Sequence, residues 1–438
     1  MSVRPVDQRP RRIVIVSEHA SARFGGEAAL PLHYFRVLRR LGHDVWLITH
    51  ARTREELKGL FPGDDRICYI DDTAFHKFMW GISRRLPARI AYFTTGFVSR
   101  LSVQRIQRKI VRRLVDEEGV EIVHQPMPVS PREPSALFGL GVPVVIGPMN
   151  GGMQYPPAFR REKPLESLLV AGARTVANLL NGVLVGKRRA AVLLVANPRT
   201  RDALPRPVAG DVLELVENGV DLSVFSPPAD VAHPMPSTER RLPTFLFLGR
   251  LVDWKRVDLL LRACARAMEA IPIRLVVVGA GDEEASLRTL AARLGIVATD
   301  GASPGVEFAG WLSQRECAGR LAQSDALVLP SILECGGAVV LEAMAMAKPV
   351  IATAWGGPLD YLDATCGMLV APDGEAELVE GLASAMKTLA ADPALCRRMG
   401  AAGRARVERH FDWDVKVAQV LEIYDRAIEK HAALARAV

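Results

Sequence analysis

No stretch of this 438-residue chain approaches the ~18 consecutive apolar residues that a membrane-spanning helix requires, so no transmembrane segment is expected. The opening Met1–Pro10 is polar, carries Arg4 and Arg9 and lacks the apolar core of a signal peptide. A cytoplasmic protein is the expectation. The six cysteines, at 68, 264, 317, 335, 366 and 396, include no close pair at metal-ligand spacing. No cluster of Asp, Glu and His plainly argues for a metal either. Acidic residues are missing altogether between Thr73 and Val115, where ten Lys and Arg stand. The rest of the chain therefore carries −3 of the total +7. Charge this local disfavours general nucleic-acid binding and favours one anionic partner.

Apolar residues make up 49% and charged residues 24%, which suits a folded globular protein. The length exceeds what one hydrophobic core organises, so two domains are expected. Arg12–Ser17 reads as a buried strand, followed by the loop Phe24-Gly25-Gly26 and a helix from about Glu27 to Leu41 that Gly42 stops. Val45–Thr49 is the next strand, and Glu121–His124, Val142–Ile146 and Ala191–Val195 follow. This is βαβ order and implies a parallel sheet. Ser226–Arg241, with prolines at 227, 228, 234 and 236, reads as a linker. Strands then resume at Thr244–Leu248, Ile273–Val278, Gly305–Phe308, Asp325–Pro330 and Pro349–Thr353. The expected fold is α/β, with two Rossmann-like doubly wound domains, 1–225 and 242–412, facing across a cleft. A single helical pattern at 413–438 is expected to pack back on the first domain. Such sheets bind ligands at the carboxyl ends of their strands.

The most informative segment runs from Pro330 to Met344. A strand ends at Pro330, Gly336 and Gly337 allow close backbone approach, and a helix begins near Gly337. Its free N–H groups and positive dipole end form a seat for a diphosphate. Glu334 precedes the helix, and Glu342 lies about 7.5 Å along its axis from Gly337. One carboxylate can then face a sugar and the other a ribose. In the loop Gly249–Lys255, directly after a strand, Arg250 and Lys255 can converge on one anionic group. A leaving diphosphate gains charge in the transition state, and fixed cations favour its departure.

With these residues in view, the chain resembles the family-four retaining glycosyltransferases of GT-B architecture, over roughly Arg12 to Tyr424. The resemblance rests on the E-x7-E pair Glu334 and Glu342, on Arg250 and Lys255, and on Val277-Val278-Gly279-Ala280-Gly281. Phe308-Ala309-Gly310-Trp311, Asn218-Gly219-Val220-Asp221 and Gly356-Gly357-Pro358 add to it. The family's Glu-Gly-Phe-Gly reads here Glu334-Cys335-Gly336-Gly337, and the acid after Gly356-Gly357 is Asp360.

The resemblance implies a retaining, hexosyltransferase-like transfer from a sugar nucleotide, without metal. Glu334 would then act on the donor sugar and Glu342 hold the ribose. Arg250, Lys255 and the Gly336, Gly337 and Ala338 segment would bind the diphosphate. Gly25 and Gly26 would close over it, and His124 would be a first-domain active-site histidine. The loop Gly147–Gly152 follows a first-domain strand, which makes Asn150 and Gly151 acceptor candidates; a simple tight turn reads equally well there.

Three other readings compete. Gly279-Ala280-Gly281 follows a strand, but the third glycine of a dinucleotide fingerprint is absent, which weighs against a dehydrogenase. A GT-B-shaped sugar-nucleotide epimerase would share fold and donor. A non-catalytic sugar-nucleotide-binding protein should have lost Glu334, Arg250 or Lys255, and all three are present. The acceptor expected for a transferase is lipid-linked or belongs to a cell-envelope polysaccharide. Between Thr73 and Val115, apolar residues at helical spacing alternate with basic ones. A solvated surface and peripheral docking on an anionic membrane fit that pattern equally.

Overall fold

The computed structural model describes residues 9–23, 26–160, 179–227 and 242–436. The chain divides into two compact units, the first Met1–Gly152, Lys163–Glu217 and Val417–Val438, the second Met153–Glu162 and Asn218–Lys416. The linker expected at 226–241 lies almost wholly outside the described residues.

In the first unit a seven-stranded parallel sheet has the order β3-β2-β1-β4-β5-β6-β7. Its strands are β1 Arg12–Val16, β2 Asp44–His50, β3 Ile67–Ile70, β4 Ile122–Gln125, β5 Val144–Met149, β6 Val192–Val195 and β7 Asp211–Glu214. The inner strands are covered on both faces, so β1 buries Ile13, Val14, Ile15 and Val16 without alternation. The helix Gly26–Arg40 returns the chain from β1 to β2 and buries Leu30, Tyr34, Phe35 and Leu38. The helix Phe97–Glu118 packs Val103, Val111 and Leu114 into the same core.

The second unit repeats the principle with six parallel strands in the order β10-β9-β8-β11-β12-β13. They are β8 Thr244–Leu248, β9 Arg274–Val278, β10 Gly305–Gly310, β11 Ala326–Leu329, β12 Val350–Thr353 and β13 Gly367–Val370. The helix Val257–Met268 shows how the covering layer forms: Val257, Leu260, Leu261, Cys264 and Ala267 recur at helical spacing and are all buried. Among the described residues no helix is long and apolar enough to cross a membrane.

Strands β3, β7 and β13 were not read from the sequence. Each lies at a sheet edge, and each is only partly covered. An edge strand has no need of the unbroken apolar run that marks an inner one.

Candidate functional site

In the second unit the order β10-β9-β8-β11-β12-β13 makes β8 and β11 neighbours from which successive strands run in opposite directions. Loops leaving the carboxyl ends of such a pair diverge and leave a crevice. The loop after β8 carries Arg250 and Lys255, and the loop after β11 carries Glu334, Gly336 and Gly337. The two loops are tied together by Ile332 N donating to Trp254 O at 3.0 Å.

Within this crevice Lys255 Nζ and Glu334 Oε2 form an ion pair, each side chain only 13% exposed. Arg250 is exposed and lies with its guanidinium 5.7 Å from the Trp254 ring centroid. Glu334 is held from behind as well, its carbonyl accepting from Gly357 N at 2.7 Å. A Cβ on Gly357 would come within 2.0 Å of Gly336 O, so the two glycine loops meet backbone to backbone. Gly337 caps the helix Ala338–Ala345 in the left-handed conformation, φ 85°. That conformation lets the chain turn sharply into the helix, whose first N–H groups have no intrahelical acceptor.

Glu342 lies in this helix, partly buried, and burial pushes its carboxyl up to about 7. The loop can therefore offer N–H donors, two cations and two carboxylates of different character along one edge. Among the described residues no group of three His, Cys, Asp and Glu is placed to hold a metal ion.

The first unit treats its candidates differently. Gly25 lies outside the described residues, and Gly26 opens the helix Gly26–Arg40 with nothing within 4 Å of an added Cβ. Asn150 is 4% exposed, and its Oδ1 accepts from Arg199 Nη2 at 3.1 Å and from Asn197 Nδ2 at 3.4 Å. Gly151 N donates to Thr200 Oγ1 at 3.1 Å, and Arg199 Nε donates back to Gly151 O. The Gly147–Gly152 loop is thus anchored onto the short helix Pro198–Asp202.

His124 sits inside the first unit. It is fully buried in β4, with the Tyr424 hydroxyl 2.6 Å from Nδ1 and the Gly147 carbonyl against Nε2. A carbonyl only accepts, so Nε2 carries the proton, and the neutral ring accepts the Tyr424 hydroxyl at Nδ1. Burial pushes its pKa down to about 4. Both ring nitrogens thus have partners within the first unit.

A cluster that the sequence reading did not single out stands where the first sheet reverses, between β1 and β4. Glu18 and His19 follow β1 directly. Burial raises the Glu18 carboxyl, with Arg100 opposing, and pushes His19 down to about 4. Arg100 Nε donates to Glu133 Oε1 at 2.8 Å. Lys187, fully buried, donates from Nζ to Ser130 O, and burial lowers its pKa to about 7. The signal was the position of Glu18 just past the first strand, but its meaning depends on strand order.

Residues 235–406 match the model of the glycosyl transferases group 1. That domain contains Arg250, Lys255, Glu334, Gly336, Gly337, Ala338 and Glu342, whereas His124, Asn150 and Gly151 precede it. A D-inositol 3-phosphate glycosyltransferase of Streptomyces griseus is 27% identical, with 98% of this chain and 92% of that protein aligned. Its counterpart from a Nocardioides species is 34% identical over 49% of this chain and 48% of its own length. Further curated relatives are likewise matched over about half their length. Among solved structures, the Anabaena protein HepE in complex with UDP superimposes with a TM-score of 0.63 at 16% identity, covering 95% of this chain and 100% of that one. The fold is the α/β GT-B class, with two Rossmann-like domains. The matched model and these curated relatives are all glycosyltransferases by description.

Proposed function

We propose that the chain is a retaining glycosyltransferase of family four that takes a sugar from a nucleoside diphosphate sugar. The observation that carries this reading is the Lys255–Glu334 pair beside the Gly336-Gly337 turn, at the β8/β11 reversal of the group 1 domain. In this reading the diphosphate seats on the amides from Gly336 to Ala338 and is clamped by Arg250 and Lys255. Drawing Lys255 toward the phosphates frees the Glu334 carboxylate to face the positive charge that grows on the sugar as the C–O bond breaks. The bonding pair leaves with the diphosphate, whose growing charge the two cations stabilise. Glu342, with its raised pKa, accepts from the ribose hydroxyls. Gly25 and Gly26 bind the donor in this reading, and the space beside Gly26 is open. His124 is left out of the catalytic set.

The acceptor hydroxyl is assigned to the first unit, near Glu18, His19 and the anchored Asn150-Gly151 loop. The acceptor itself is lipid-linked or a growing cell-envelope glycan, met at the cytoplasmic face of an anionic membrane. No metal or cofactor takes part in this reading. The deciding experiment incubates the protein with UDP-, GDP- and ADP-sugars and a membrane lipid extract, then determines the anomeric configuration of the product by NMR. Acceptor-dependent formation of a product with the donor's anomeric configuration supports it. Inversion overturns retention, and a modified free sugar nucleotide formed without acceptor identifies an epimerase.

A further inference from the structure

The helix Ala74–Ser83 is unlike the others that cover the first sheet. It starts soundly: the Thr73 side chain accepts from His76 N, and His76 Nδ1 accepts from Thr73 N, a reciprocal cap. Yet of its ten residues only His76 is buried. Phe78 is 65% exposed and Trp80 60%, and Phe75, Ile82, Ile90 and Val98 are exposed with them. Phe75, Phe78 and Ile82 share one face by helical spacing, and Trp80 stands exposed on another; large apolar side chains left open in this way signal a partner rather than a tolerance.

Charge narrows the kind of partner. Lys77, Arg84 and Arg85 are exposed among these aromatics, and Arg84 lies 4.9 Å over the Trp80 ring. No acidic residue occurs from Thr73 to Val115. Part of the remaining basic stretch is occupied differently. On the helix Phe97–Glu118, Arg100 pairs with Glu133, Arg108 lies over Phe138 at 4.1 Å, and Arg112 donates to Gly139 O at 3.0 Å. Those cations serve the fold, while the segment up to Val98 presents apolar and basic groups outward together.

We infer that the helix Ala74–Ser83, with Ile90 and Val98 beside it, docks on an anionic lipid bilayer. Such a surface offers both complements at once: a boundary about 5–10 Å deep that accepts Phe and Trp rings, and a layer of negative head groups for Lys77, Arg84 and Arg85. Aromatic side chains of this kind settle at head-group level. The helix follows the carboxyl end of β3, the same end of the sheet from which Glu18 and Gly26 emerge after β1. Docking would therefore bring that end of the sheet to the head groups, where a lipid-carried acceptor hydroxyl is presented. This inference rests on the membrane-facing acceptor of the proposed function and names the surface that meets it.

The test is co-sedimentation of the full chain with vesicles of phosphatidylcholine alone and of phosphatidylcholine with phosphatidylglycerol. The wild type is expected in the pellet only with the anionic vesicles. The pairs Phe78→Ser/Trp80→Ser and Arg84→Glu/Arg85→Glu should each weaken partitioning on the order of tenfold. Equal recovery from both vesicle types, recovery from neither, or wild-type binding by both variants overturns the inference. Bromine-labelled lipid provides a check that does not depend on those variants folding. It should quench wild-type tryptophan fluorescence more than that of Trp80→Phe, and equal quenching places Trp80 outside the bilayer. The transferase reading is judged separately, by Glu334→Gln in detergent solution. Loss of transfer there with vesicle binding intact separates failure of one reading from failure of the other.

Discussion

Lys255 and Glu334, 79 residues apart in sequence, meet in an ion pair that leaves each side chain 13% exposed. The pair couples the two positions, because replacing either residue leaves the other without its partner. Lys255→Ala leaves a half-buried carboxylate without its cation, and Glu334→Gln leaves an ammonium without its anion. In the proposed reaction Glu334→Gln should lower kcat on the order of a hundredfold while donor Kd changes little. Lys255→Ala and Arg250→Ala should lower turnover to a similar extent and also weaken nucleoside diphosphate binding. Steady-state rates set beside calorimetric titration with UDP and GDP separate the effects. Wild-type turnover in any of the three removes that residue from the site.

Glu342 supplies a pH dependence. Its carboxyl sits near 7 in the folded chain because burial disfavours the charge, and hydroxyls donating to it favour the ionised form. Below about pH 7 the donor must drive off a proton in order to bind. Donor affinity should therefore fall as pH drops from 8 to 6, and the fall should vanish in Glu342→Gln. Titration calorimetry in buffers of different ionisation enthalpy reads the proton released. Release that persists in Glu342→Gln assigns it elsewhere.

Buried His124 makes a stability prediction with a definite sign. Its folded pKa of about 4 lies below the ordinary 6.5, so the unfolded chain binds the proton first as pH falls. Stability is fully present above pH 6.5 and is lost between about 6.5 and 4, by on the order of a few kcal/mol. Denaturant midpoints at pH 7.5 and 5 measure it, with His19, also held near 4, contributing in the same direction. His124→Phe strands the Tyr424 hydroxyl and the Gly147 carbonyl and should destabilise by roughly 1–3 kcal/mol per unpaired group. It should leave kcat within a few-fold of wild type at temperatures where the protein is folded. A collapse of kcat with unchanged stability would return His124 to the active site.

Two glycines should answer oppositely to alanine. At Gly357 the new methyl would lie 2.0 Å from Gly336 O, a backbone atom that yields only by moving the Gly336-Gly337 turn. Gly357→Ala should lower both the melting temperature and donor affinity. At Gly26 an added methyl meets nothing within 4 Å. Gly26→Ala should keep the melting temperature and weaken only donor binding. Thermal melts with and without UDP distinguish the two patterns.

Much of this fold can be read from the chain because inner parallel strands must be apolar on both faces. β1, β6, β8 and β11 announce themselves as short apolar runs placed between helical patterns. β3, β7 and β13 escape because an edge strand keeps one side open. Asp211–Glu214, with neither end residue buried, carries no periodic signal at all. The candidate residues of the group 1 domain were legible for a related reason. Glycine turns and the carboxylates beside them sit within a few residues of one another, so spacing alone brings Glu334, Gly336, Gly337 and Glu342 to one loop and helix.

What the sequence determined by itself is local: which runs become buried strands, where glycine admits a left-handed turn, and where charge of one sign collects. Tertiary structure decided everything that depends on which strands are neighbours. Only the order β8-β11 brings Lys255 to Glu334, and only the order β1-β4 gives Glu18 and His19 a place at a sheet reversal. It also turned His124 inward, because the chemistry of an imidazole suits a ligand site and a core equally well. Its partners, Tyr424 and Gly147, lie 300 and 23 residues away. Finally, it separated two helices that the charge pattern could not tell apart, burying the apolar stripe of Phe97–Glu118 and leaving that of Ala74–Ser83 in the open. Periodicity states that a helix has an apolar face, and packing alone decides whether the protein covers it.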